Sequence, residues 1–150
     1  MLDSTDFNQE KEQALKVVRR LKESGWSFAC HGYGHLHASK ASLERLEKDT
    51  LRWKSEVGAL VGNTVIYIYP YGEEVPSKDP KFEMLMDSGF SIFCAVGGKD
   101  FCKTYEGYVR MDRANIDGTA FYYRKEGLSD MFNVEEIIDK ARPPLDFDEK

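Results

Sequence analysis

The sequence predicts an α/β protein built on a parallel sheet, and three observations predict it. Apolar residues recur at helical spacing in three separate segments, β-branched and aromatic runs of strand length lie between them, and each run stops at a loop rich in histidine, proline or glycine. Strand, loop, helix, strand in that order makes parallel βαβ units, whose ligands bind at the carboxyl ends of the strands.

Asp6 or Asn8 can cap a first helix in which Ala14, Val17, Val18 and Leu21 form a core face, and Gly25 supplies the left-handed stop. Trp26–Cys30 reads as a short strand ending at His31. Ser39 or Ser42 opens a second helix with Leu43, Leu46, Thr50, Trp53, Val57 and Leu60 on one stripe, closed by Gly62. The run 64–69 has the composition of a strand buried on both faces and stops at Pro70-Tyr71-Gly72. A third helix, Pro80 to Ser88, buries Phe82, Leu85 and Met86 and ends at Gly89. The strand 90–96 then runs into Gly97-Gly98. Beyond it, 108–110 and 120–123 are expected as strands and 134–140 as a last helix. Ile66, Ile68, Phe93 and Ala95 are expected to form one apolar inner face.

Composition limits what this chain does. One domain is expected of 150 residues with 41% hydrophobic, 31% charged and 13% aromatic side chains, and no segment has the roughly 18 uninterrupted apolar residues of a membrane span. A formal charge of -5 with no basic stripe gives no electrostatic case for a nucleic-acid partner. Cys30, Cys94 and Cys102 are too few for a disulfide framework, and the first two sit in apolar runs that suit buried, reduced thiols. No basic segment followed by an apolar one occurs near Met1, so no signal peptide is read there, and localisation stays open.

All three histidines, His31, His35 and His37, fall within seven positions. Imidazole is the commonest protein ligand for zinc, and Gly32 and Gly34 let the backbone turn tightly enough to aim two rings at one point. A metal site is the leading expectation; a glycine-rich loop with solvated histidines is the alternative. A stand-alone zinc site using all three histidines is a weaker reading.

The strand ending in His31-x-x-x-His35, the following helix and the strand ending in Pro70-Tyr71-Gly72 resemble the polysaccharide deacetylase family, carbohydrate esterase family 4. The resemblance extends through 25–35, 49–57, 67–72, 89–94, 110–113 with Asp117-Gly118, and 141–143. It implies a distorted, incomplete (β/α) barrel, one divalent metal, zinc by family habit, on His31 and His35, and removal of acetyl groups from N-acetylated polysaccharides or oligosaccharides. The Tyr71 backbone N–H corresponds to an oxyanion donor. Asp112 and Arg113 correspond loosely to a charged pair that orients the base; a surface ion pair is the plainer reading. Tyr33 and Tyr69 are candidates to stack on sugar faces, with ordinary packing equally open.

The family's paired aspartates, its late histidine and its arginine before Pro-Tyr have no counterpart here. Residues 1–150 are therefore expected to be a single incomplete deacetylase-like domain, weakly active alone, that self-associates or is completed by an N-terminal half. The alternative is a non-catalytic barrel remnant that binds a glycan or another subunit.

Overall fold

The computed structural model describes residues 4–97, 101–114, 116, 118–123, 125–129 and 131–137, with side chains from Phe7 onward. The chain divides into two compact units, Met1–Arg113 and Ala114–Lys150.

The first unit is a four-stranded sheet with helices. Its elements are α1 (Ser4–Glu23), α2 (Leu43–Arg52), a π-helical segment Trp53–Gly58 leading into α3 (Ala59–Val61), β1 (Ile66–Ile68), α4 (Pro80–Asp87), β2 (Ile92–Val96), β3 (Cys102–Tyr105) and β4 (Tyr108–Arg113). The strand order is β1-β2-β4-β3; β1, β2 and β4 are parallel, and β3 pairs antiparallel with β4. The predicted βαβ unit is present as β1-α4-β2.

The helix stops form as the glycine positions predict. Gly25, at φ 90, ends α1: its N–H bonds Lys22 O at 3.0 Å while Trp26 N–H bonds Leu21 O at 3.0 Å. Gly89 closes α4 in the same way. Ser42 caps α2 by accepting from Arg45 N–H, and Asp79 caps α4 by accepting from Lys81 N–H.

Register decides which side chains share a face. Tyr67 lies opposite Phe93, and Ile68 opposite Cys94. Tyr67, Tyr69, Phe93 and Ala95 are buried in one core with Leu46, Trp53, Phe82, Leu85 and Phe90. Ile66 and Ile68 therefore point to the other face, with Ile92, Cys94 and the exposed Val96. This corrects the expected single inner face of Ile66, Ile68, Phe93 and Ala95, which joined residues of opposite parity. The strand at β1 is likewise buried on one face rather than two.

Other elements also differ from expectation. The expected strand 26–30 is reduced to a bridge between Cys30 and Tyr67, and Trp26 is exposed. On α1, Ala14 and Val17 are exposed and Val18 and Leu21 only half-buried, so the apolar stripe is not a full core face. Met86 is half-buried. The hairpin β3–β4 was not predicted at β3, although Glu106-Gly107 between Thr104-Tyr105 and Tyr108-Val109 is a two-residue turn signal, with Gly107 at φ 83.

In the second unit, the segment expected as a strand at 120–123 is helical: α5 spans Gly118–Tyr123 and is followed by α6, Val134–Ile137. Ala120 is buried with Leu128 and Val134, whereas Tyr122 and Tyr123 are exposed. That is not the alternation a half-buried strand shows, and packing of a small local cluster overrides the strand preference of the aromatics. The end of the last predicted helix, 138–140, and Gly98 lie outside the described residues. No helix among the described residues is long and apolar enough to cross a membrane.

Candidate metal and catalytic site

Cys30 brings the histidine loop to the sheet. Its N–H donates to Ile66 O at 2.9 Å and its carbonyl accepts from Ile68 N–H at 2.7 Å, so His31 begins at the carboxyl end of β1. His31 Nδ1 then lies 2.8 Å from Ile68 O. A carbonyl only accepts, so Nδ1 carries the proton and the lone pair resides on Nε2, the arrangement of a metal-ligating histidine oriented by a backbone carbonyl. The His35 ring meets that of His31 edge-on, with centroids 4.9 Å apart.

A carboxylate from α2 shapes the loop. Asp49 accepts from Tyr33 N–H through Oδ2 at 2.8 Å and from Gly34 N–H through Oδ1 at 2.7 Å. The glycines ease this approach: Gly32 has φ 67, and a Cβ on Gly34 would stand 3.0 Å from Asp49 Oδ1, a tight contact. The role of Asp49 is absent from the sequence reading because no local motif links a loop amide to a helix residue 15 positions on.

The Pro-Tyr-Gly loop forms the second wall. Residues Pro70–Gly72 make one 3-10 turn, within which Tyr71 is left-handed at φ 59 and Gly72 follows at φ 71. A Cβ on Gly72 would lie 2.4 Å from Val96 Cβ, so the loop rests directly on the end of β2. Tyr71 N–H sits in the first turn, where helical N–H groups have no partner within the helix. The Tyr71 ring is 57% exposed, stacked on His37 with centroids 3.7 Å apart and edge-on to His35 at 4.6 Å.

His37 thus has other partners than a metal. Its Nδ1 lies 3.0 Å from Glu73 Oε2, and Glu73 also accepts from Ser39 Oγ at 3.1 Å and Lys40 Nζ at 2.9 Å. Those donors, Lys40 first, hold the Glu73 carboxyl down to about 2. Among the described residues no three His, Cys, Asp or Glu side chains form a group placed to hold a metal ion. His31 and His35 fit a metal as two imidazole donors of a larger set.

Asp112 and Arg113 are not partners of each other. As neighbours on β4 they point to opposite faces. Asp112 is buried with Oδ1 2.9 Å from Arg110 Nη2, poorly aligned for a hydrogen bond, while Arg110 Nε donates to Glu74 at 2.6 Å. Arg113 Nη2 donates to Tyr69 O at 3.0 Å, beside the start of the Pro-Tyr-Gly loop. Tyr69 is fully buried and packs in the core rather than on a sugar. One face of the Tyr33 ring carries the Arg52 guanidinium at 4.2 Å, and its hydroxyl donates to Glu56 at 2.8 Å.

A family model described as polysaccharide deacetylase matches residues 5–84, just over half the chain, which include His31, His35 and Tyr71. No curated protein and no solved structure matches.

Proposed function

This chain belongs to the polysaccharide deacetylase family, and from that premise we propose that it is a metal-dependent hydrolase acting on the acetamido groups of N-acetylated polysaccharides or oligosaccharides. The observation that carries the reading is the paired histidines: His31 and His35 rings 4.9 Å apart, with His31 fixed through Nδ1 so that Nε2 is free to ligate. The open four-stranded sheet is read as one arc of the distorted (β/α) barrel, with the site at its carboxyl rim.

His31 and His35 would hold the divalent cation, zinc by chemical preference for imidazole, and a third ligand from outside this pair would complete the set. When bound, such an ion supplies Lewis acidity, polarising an amide carbonyl and acidifying water to a pKa of about 7. The chain's own residues do the rest. The Tyr71 N–H is the fixed donor for charge developing on the carbonyl oxygen, Arg113 holds the carbonyl at the base of its loop, and the exposed Tyr71 ring offers an apolar face to a sugar. Each absent acid–base group removes about 10²–10⁴-fold in rate, so turnover by this chain alone is slow.

Acetate release from N-acetylated chito-oligosaccharides tests the reading. Slow release that a chelator stops, that zinc restores, and that His31→Ala and His35→Ala abolish is expected. Sugar binding without any metal-dependent acetate release would instead make this a glycan-binding module.

A further inference from the structure

Tyr71 is a non-glycine residue at φ 59, a conformation that persists only where its surroundings over-determine it. Two contacts supply that determination. Below the turn, Gly72 packs against Val96 so closely that no side chain fits. Beside it, the Tyr71 ring lies flat on His37, 3.7 Å between centroids and 4° between planes. His37 is itself fixed, because its Nδ1 meets Glu73 Oε2 at 3.0 Å, and Glu73 belongs to the same loop as Tyr71. The loop therefore reaches across through its carboxylate, holds the imidazole, and stacks its own tyrosine on it.

Glu73 extends the grip along the opposite loop. It accepts from Ser39 Oγ and Lys40 Nζ, and the Ser39 carbonyl in turn accepts from the largely buried Lys81 Nζ at 2.6 Å. The His37–Lys40 segment is thus tied to the Pro-Tyr-Gly loop on one side and to α4 on the other.

We propose that His37 and Glu73 are positioning residues: together they lock Tyr71 in its left-handed conformation and so fix the direction of its backbone N–H toward the site. The role of that N–H in hydrolysis rests on the function proposed above, whereas the lock itself does not. His37 acts through its ring face and its hydrogen bond, not as a metal ligand.

The test uses the ¹⁵N-labelled chain and three variants, His37→Ala, Glu73→Gln and His37→Phe. In His37→Ala the Tyr71 and Gly72 amide resonances are expected to move and exchange of the Gly72 N–H, which bonds Tyr69 O at 3.1 Å, to accelerate about tenfold, with the β2 and α4 amides unchanged. Glu73→Gln shows the same effect more weakly. His37→Phe, which keeps a flat ring without the hydrogen bond, restores much of the protection. In acetate release, His37→Ala lowers kcat with little change in KM, and His37→Phe recovers part of it. Tyr71 amides that coincide in the parent and His37→Ala would overturn the lock. Altered amides in a chain that releases no acetate would support the lock and sink only the hydrolase reading.

Discussion

Asp49 sets the shape of the histidine loop by accepting two backbone N–H groups with one carboxylate. Charge-assisted bonds of this kind are stronger than neutral ones. Asp49→Ala is therefore expected to cost about 1–3 kcal/mol in unfolding free energy, measured by urea denaturation, and to weaken zinc binding along with it. Unchanged zinc affinity in a destabilised variant would show that the loop does not need this anchor. Thiol chemistry gives a second residue-level test. Burial pushes the Cys30 thiol up to about 12, whereas Cys102 is exposed. Ellman's reagent at pH 8 should label Cys102 quickly and Cys30 only on unfolding; rapid labelling of Cys30 would contradict the bridge that seats His31 on the sheet.

At the scale of elements, helix stops and the β1-α4-β2 crossover are legible in the sequence because each rests on a local device: a glycine after an apolar stripe, a capping Ser42 or Asp79, a β-branched run. The misreadings come where a neighbour decides. Ala120 turns helical because its burial partners are Leu128 and Val134, and Trp26–Ala29 stays outside the sheet because only Cys30 reaches β1. The link between the two site loops carries a pH signature. Glu73 has a carboxyl depressed from an ordinary 4.5 to about 2, so its stabilising contacts are complete above about 4.5 and are lost as pH falls toward 2. Exchange of the Gly72 amide, which bonds Tyr69 O, corrected for intrinsic rates, should rise as pH falls below about 4.5, and Glu73→Gln should remove that rise. An identical rise in the variant would place its origin elsewhere.

For the molecule as a whole, the histidine cluster and the Pro70-Tyr71-Gly72 stop are legible as positions just after strand ends, while Tyr71 is singled out only by the family resemblance. Asp49 and the Glu73 contacts join segments more than ten residues apart, and only the fold brings them together. The sheet face opposite the core carries exposed Val96 and Met111, and β3 presents an outer edge. Apolar surface and an open edge favour association, so light scattering after size exclusion is expected to show dimers or larger species at high concentration. A monomer at every concentration would contradict that expectation.

The most direct measurement is zinc X-ray absorption on the metal-loaded chain, with ligand identity read from the fine structure. Two imidazole ligands in the parent, falling to one in both His31→Ala and His35→Ala and staying at two in His37→Ala, is the predicted result. A third imidazole in the parent that disappears in His37→Ala, or zinc whose ligands do not change in the His31 and His35 variants, would contradict it.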